Sequence, residues 1–297
     1  MNENMLFENF NLSSYTTIKV GGVAEYFAEP KSIEEFSSLT KWANLHKQRC
    51  QIIGAGSNLL INNIFIKGLV VCTKKLKSLK IDPNLGIVEA ETGVMLPTLS
   101  NSLAKNGLQG GEWAVGIPGT LGGALYMNAG TGNLSLAKNL ISVKVVNIKN
   151  YEIIDIEKKD INFEYRFSSF QNNDLAIISA KLHFEPNGNV KKLIQTTKNN
   201  LKLKTETQPY HQPSFGSVFK NPENKYAAKI IDDMGLKGFK IGGAEISTMH
   251  SNFIINKYSA RSEDIYELIT VIQQKVLQKR GIYLHPEVRM IGFDYPN

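Results

Sequence analysis

Cysteine is scarce: two in 297 residues, Cys50 and Cys72. Each borders an apolar, strand-like run, which reads as two buried, reduced thiols rather than a disulfide framework. The five histidines, His46, His183, His211, His250 and His285, have no ligand-like spacing to one another, to a cysteine or to an acid, so no metal site is expected. No window comes near the roughly 18 continuous apolar residues of a membrane span. The longest apolar stretches, such as Gly68-Leu69-Val70-Val71-Cys72, have strand length. The opening Met1-Asn2-Glu3-Asn4-Met5 shows no basic region followed by an apolar one, so a signal peptide is not expected and a soluble, cytoplasmic chain is. Repeats, low-complexity tracts and aromatic-basic RNA motifs are missing too. The net charge of +7 comes from lysines spread along the chain. It suits an anionic substrate and cofactor, or a solvated lysine-rich surface; neither nucleic acid nor membrane is expected as a partner.

What is present is an ordinary globular balance, 42% apolar and 21% charged, in a chain long enough for two or three lobes. Short strands are predicted over 16–20 and 25–28, around a turn at Gly21-Gly22. A helix is predicted over 32–46: Ser32 can cap it, Glu34 and Glu35 suit its first turn, and Phe36, Leu39 and Ala43 share a face. Strands over 51–53 and 68–72 follow. The next stretch reads as a strand over 86–92 and a helix over 96–106 stopped by Gly107. A hairpin of 141–148 and 151–156 then turns at Lys149-Asn150, before a strand over 175–184. A helix over 190–204 leads to a linker, Gln208-Pro209-Tyr210-His211-Gln212-Pro213. Beyond it lie a helix over 226–234, strand-like pieces at 242–246 and 252–255, a helix over 262–279 and a strand over 285–291.

Two glycine-rich stretches stand out. Gly54-Ala55-Gly56-Ser57-Asn58 follows a strand, and its glycines allow consecutive N–H groups to point at a phosphate. Ser57 and Asn58 add side-chain donors. This is not a Rossmann fingerprint, which opens a helix and is followed by an acid about 20 residues later. Here Leu59-Leu60-Ile61-Asn62 has no helical period, the chain near position 76 is lysine-rich, and a Walker lysine is absent. Alone, this loop fits a tight structural turn as well as a phosphate cradle. The second stretch, Gly116-Ile117-Pro118-Gly119-Thr120-Leu121-Gly122-Gly123, runs on to Met127-Asn128-Ala129-Gly130. Two such loops in successive strand-rich regions fit a bipartite dinucleotide site better than two structural turns.

Together with Thr16-Thr17-Ile18-Lys19-Val20-Gly21-Gly22, these loops resemble the flavin half of the MurB family, the UDP-N-acetylenolpyruvoylglucosamine reductases. Later family motifs match in order: Tyr165-Arg166, Gly216-Ser217-Val218-Phe219-Lys220-Asn221-Pro222, Gly242-Gly243-Ala244-Glu245-Ile246-Ser247, His250-Ser251-Asn252-Phe253 and Pro286-Glu287-Val288-Arg289. The resemblance implies an α+β fold. A two-lobed FAD-binding domain of the vanillyl-alcohol-oxidase type would occupy 1–75 and 76–205. A smaller α+β substrate-binding domain would follow over 206–297, its last strand returning toward the flavin. It also implies a reaction in which NADPH reduces FAD and leaves. The enolpyruvyl ether of UDP-N-acetylglucosamine then accepts hydride at its methylene carbon and a proton at the neighbouring carbon. The product, UDP-N-acetylmuramate, is a peptidoglycan precursor. Neither glycine loop holds a histidine, so non-covalent FAD is expected. The short interval between Arg166 and Ser217 resembles the shorter subclass, which lacks an insertion carrying a substrate-lid tyrosine. A monomer is expected.

By the same resemblance, Arg166 is the cation that stabilises the enolate-like charge, Ser217 the proton donor and Glu287 the catalytic carboxylate. Gly54, Ala55, Gly56, Ser57, Asn58, Gly116, Ile117, Pro118, Gly119, Gly122 and Gly123 correspond to FAD contacts. Asn221, Asn252 and Arg289 correspond to substrate contacts, and Lys202 or Lys204 to a diphosphate contact. Local sequence leaves these roles open. Arg166 in Phe163-Glu164-Tyr165-Arg166-Phe167 reads equally as a surface arginine on an edge strand, and Ser217 after Gly216 as a turn serine. Glu287 and Arg289 read as an exposed pair facing one way in a strand. Glu245 departs from the glutamine common in the family; it faces away from phosphate or is protonated. A different flavin oxidoreductase of the same fold would lack the Ser217 and Glu287 motifs. A nucleic-acid binder would ignore flavin and weaken steeply with salt.

Overall fold

The computed structural model describes residues 5–293. Residues 1–4, on which most of the signal-peptide reading rests, and residues 294–297 lie outside the described ones. Two compact units divide the chain, and both are discontinuous. The first holds Met1–Glu8, Glu25–Ala55 and Lys67–Leu203; the second holds Asn9–Ala24, Gly56–Ile66 and Lys204–Asn297. These borders differ from divisions at 75 and 205 because the chain changes unit inside the strands Val23–Ala28 and Phe65–Cys72 and inside the first glycine loop.

The first unit is built on a five-stranded antiparallel sheet. Its order is Ile153–Glu157, Leu140–Asn147, Leu175–His183, Ile87–Glu91, Leu79–Asp82. Strand alternation puts Val143, Val145, Leu182, Val88 and Ala90 on one face. There they pack with Leu99 and Leu103 of the helix Leu96–Lys105 and with Leu121 and Leu125 of the helix Leu121–Tyr126. Val146, Ala176 and Ile178 pack instead with Phe36, Leu39 and Ala43 of the helix Ile33–Leu45 and with Leu69 and Val71. Those last two belong to a strand running parallel to Cys50–Ile53, whose end launches the first glycine loop. Local signals act as the sequence predicts. Ser32 Oγ accepts Glu35 N at 3.2 Å, and Asn147 Oδ1 accepts Lys149 N at 2.9 Å to close the hairpin turn.

The second unit carries a four-stranded antiparallel sheet in the order Ser214–Ser217, Phe253–Asn256, Ala244–Ile246, Lys240–Ile241. The helix Ser262–Arg280 buries Ile265, Leu268, Ile269, Ile272 and Val276, one helical stripe, in a core with Ala244, Ile246, Ile254 and Ile231. A separate parallel pair joins Leu59–Ile61 to Arg289–Ile291.

Three expectations change. Residues 16–20 form a turn rather than a strand: Thr16 Oγ1 donates to Val20 O at 2.7 Å and accepts Val20 N at 3.1 Å, and Lys19 has φ 61°. Ile18 contributes to the core without any strand pairing. The strand predicted over 285–291 shrinks to Arg289–Ile291, since only those residues find a ladder partner; Pro286, lacking an N–H, makes an isolated bridge to Phe219. The second glycine stretch also contains the start of a helix, Leu121–Tyr126. Among the described residues, no helix is long and apolar enough to cross a membrane.

Candidate active site

Within the first unit the start of the first glycine stretch meets the second at Thr120. A Cβ built on Gly54 would stand 2.5 Å from Thr120 Oγ1, so only glycine fits where the first loop leaves its strand. Thr120 caps the helix Leu121–Tyr126, its Oγ1 accepting Gly123 N at 3.4 Å. Gly122 is pressed on Thr92, where a Cβ would fall 1.8 Å from the hydroxyl oxygen. The N–H groups of Ile117, Leu121 and Gly122 donate to Ala114 O, Val94 O and Thr92 O at 3.1, 2.8 and 2.9 Å. Being engaged in this way, Ile117 and Gly122 can serve a ligand through close approach rather than donation.

Two features here suit FAD. Gly123 is exposed, and a Cβ added there would meet nothing nearer than Thr120 Oγ1 at 3.5 Å, so the bare helix start leaves room for a ligand to lie against backbone. Asn128 Oδ1 is buried without a hydrogen-bond partner, whereas its Nδ2 donates to Glu164 O at 2.8 Å. A buried acceptor left unmatched is costly, and the ring N–H and ribose hydroxyls of FAD are donors of the kind it lacks. The Cys72 thiol donates to Gly54 O at 3.5 Å, and burial pushes its pKa up to about 11; burial pushes Cys50 up to about 12.

Arg166 lies at the tip of a hairpin, between Phe163–Glu164 and Phe167–Ser168, and not within an edge strand. It is half-buried, its φ is 56°, and its guanidinium lies 5.1 Å from the centre of the Tyr165 ring.

In the second unit, Ser217, Glu287 and Asn58 are laced together through backbone. The pairing of Ser214–Ser217 with Phe253–Asn256 shifts register between Ser214 and Ser217. Gly216, at φ 80°, makes that bulge possible and re-aims the half-buried Ser217. Val218 N donates to Asn252 O at 2.9 Å, and Glu287 N donates to Val218 O at 2.8 Å. Asn58 Nδ2 donates to Glu287 O at 3.0 Å, and Arg289 N returns to Asn58 O at 3.0 Å. Glu287 precedes the strand and is half-buried, whereas Arg289 is exposed, so the two do not share a strand face. Asn252 is buried; its amide donates to Phe219 O and accepts Phe219 N, at 2.9 and 3.0 Å, making it a strut for the Ser217 segment. Asn221 is exposed and its Oδ1 accepts Ala227 N at 3.0 Å.

Glu245 is almost fully buried, 1% exposed, and each carboxylate oxygen accepts from Lys257 Nζ at 2.9 Å; Lys240 Nζ lies 3.4 Å away. Burial pushes its carboxyl up, but the two ammonium groups together hold it below its ordinary value. Both carboxylate oxygens accept from Lys257 and Lys240 lies close by, which favours the ionised form over the protonated one.

The chain is similar to known proteins along nearly its whole length. Residues 24–157 fit the profile of an FAD binding domain, and residues 208–291 that of the C-terminal domain of UDP-N-acetylenolpyruvoylglucosamine reductase. The reductase of that name from Prochlorococcus marinus subsp. pastoris is 69% identical over 289 residues, covering 97% of this chain and 98% of the relative. The chain belongs to the MurB family of UDP-N-acetylenolpyruvoylglucosamine reductases. A Synechococcus reductase is 44% identical over 95% of this chain and 94% of its own length. The crystal structure of the MurB enzyme from Thermus caldophilus superposes with a TM-score of 0.80 at 28% identity, covering 96% of this chain and 98% of that one. The fold is therefore the mixed α/β MurB fold, an FAD-binding domain followed by the MurB C-terminal domain.

Proposed function

We propose that this chain reduces UDP-N-acetylglucosamine enolpyruvate to UDP-N-acetylmuramate, using NADPH as the hydride source and non-covalent FAD, as a cytoplasmic monomer. Family membership carries the coarse part: an oxidoreductase and flavoprotein of peptidoglycan synthesis. What carries the finer reading is the 69% identity along nearly all of both chains, with both family profiles matched in order. In this reading 1–75 and 76–205 are the flavin-binding lobes and 206–297 the substrate-binding domain. The loops Gly54-Ala55-Gly56-Ser57-Asn58 and 116–123 hold FAD, Gly122 and Gly123 by close approach, and Asn128 offers its unmatched acceptor.

FAD, when bound and already reduced by NADPH, would supply the hydride that the methylene carbon of the enolpyruvyl group accepts. Negative charge then gathers on the carbon beside the carboxylate. The Arg166 guanidinium, a planar fork of fixed donors, stabilises it. The Ser217 hydroxyl gives its proton to that carbon. Glu287 supports the enolate by ordering the substrate carboxylate and the hydrogen bonds around it. Asn221 and Arg289 contact the substrate, and Asn252 holds the segment bearing Ser217 and Asn221.

The purified protein should be yellow and bleach with NADPH under anaerobic conditions. Added UDP-N-acetylglucosamine enolpyruvate should restore the oxidised spectrum. Bleaching without reoxidation would instead point to another flavin oxidoreductase.

A further inference from the structure

The hairpin that carries Arg166 is too short to hold its own shape. Its strands are two residues each, and hairpins of that size are not stable in isolation. Arg166 itself has a left-handed backbone, φ 56°, which is disfavoured for any residue with a Cβ. The tip must be held from outside, and one acceptor takes two of four hydrogen bonds that hold it. Ser168 Oγ donates to Tyr126 O at 2.7 Å, and Gln171 Nε2 donates to the same oxygen at 2.9 Å. Gln171 Nε2 also reaches Arg166 O at 3.4 Å, and Asn128 Nδ2 holds Glu164 O at 2.8 Å. Tyr126 ends the helix Leu121–Tyr126, whose last carbonyls have no helical partner. The helix that starts at Thr120, against Gly54, thus ends in the oxygen that anchors the Arg166 hairpin.

We propose that Gln171, with Ser168, is a positioning residue that fixes the Arg166 guanidinium relative to the FAD loop by clasping the hairpin to Tyr126 O. Its role rests on the reading of Arg166 as the enolate-stabilising cation. In this scheme Gln171 acts through its amide nitrogen, which is engaged with Tyr126 O and Arg166 O. Ser168 is fully buried, and its hydroxyl donates to this anchor. Because the clasp acts through Arg166, it bears on the substrate half-reaction and not on reduction of the flavin by NADPH.

A double-mutant cycle on the holoenzyme in single-turnover mode tests this. Gln171→Ala should retain flavin and bleach with NADPH at the wild-type rate. Reoxidation by UDP-N-acetylglucosamine enolpyruvate should slow on the order of 10²-fold, as for a misplaced catalytic group. In an Arg166→Ala background the same substitution should add nothing. Equal slowing in both backgrounds, or no slowing in the wild type, would overturn the proposal. If Gln171→Ala purifies without flavin, Ser168→Ala, which removes one hydroxyl, goes through the same cycle with the same criteria. Arg166→Ala alone tells apart failure of the underlying reading: wild-type reoxidation there removes Arg166 from the chemistry and the clasp with it.

Discussion

Gly54 abuts the side chain of Thr120 so closely that a single added methyl group would stand 2.5 Å from its hydroxyl oxygen. This junction joins the end of one strand to the cap of a helix within the first unit. Gly54→Ala should therefore destabilise the fold by about 1–3 kcal/mol, the usual cost of overpacking. Thr120→Ala should cost about 1 kcal/mol through the lost cap. In urea unfolding the double variant should lose less than the sum, because removing the hydroxyl relieves the clash. Simple additivity would show that the two residues do not meet.

The neighbouring glycines should behave differently from each other. Gly122→Ala meets Thr92 Oγ1 and should damage fold and flavin content together. Gly123→Ala has open space, so the apoprotein should be no less stable, and alanine's helix propensity could add up to about 1 kcal/mol. FAD affinity should nevertheless fall if the ligand lies against that backbone. Flavin titration of both apoproteins, beside their thermal unfolding, separates the two effects.

Glu245 predicts an acid limb in the stability profile. Its carboxyl lies below the ordinary glutamate value when folded. The stabilisation is then fully present above the unfolded value, about 4.3, and is lost as pH falls through the lower folded value. Glu245→Gln should lower Tm at neutral pH and flatten its decline on acidification. An unchanged acid limb would show that the Lys240 and Lys257 pairing contributes nothing.

The two thiols should be inert in the folded protein. With Cys72 raised to about 11 and Cys50 to about 12, thiolate is scarce at neutral pH, and alkylation should be slow until denaturant is added. Their linkage runs the other way from Glu245. The stabilisation is complete below the unfolded thiol value, about 8.5, and is lost as pH rises toward the folded values. Urea midpoints should fall between neutral and strongly alkaline pH, and less so in Cys72→Ser, where one buried thiol no longer titrates.

Helices with strong local signals were legible from sequence. Ser32 caps where predicted, and the stripe Ile265, Leu268, Ile269, Ile272, Val276 faces a core as its spacing requires. The strand over 16–20 was not, because β-branched residues mark burial as readily as pairing and Thr16 closes a turn on Val20 instead. Leu59–Ile61 became a strand only through Arg289–Ile291, a partner more than 200 residues away that no local pattern reveals. Thr120 ahead of Leu121-Gly122-Gly123 was a readable N-cap, and reading it would have placed the short helix. Ser168 and Gln171 carry no sequence signal of their role, which exists only because Tyr126 O lies within reach of both. The roles proposed for Arg166, Ser217 and Glu287 rest on family resemblance, since nothing in their spacing marks them.

The most direct test of the proposed chemistry follows both half-reactions of Ser217→Ala by stopped-flow absorbance of the flavin. Bleaching by NADPH should proceed at the wild-type rate, while reoxidation by UDP-N-acetylglucosamine enolpyruvate should fall by several orders of magnitude, beyond the roughly 10²–10⁴ of an ordinary general acid only if water cannot replace the hydroxyl. Reoxidation at the wild-type rate, or equal slowing of both steps, would contradict Ser217 as the proton donor.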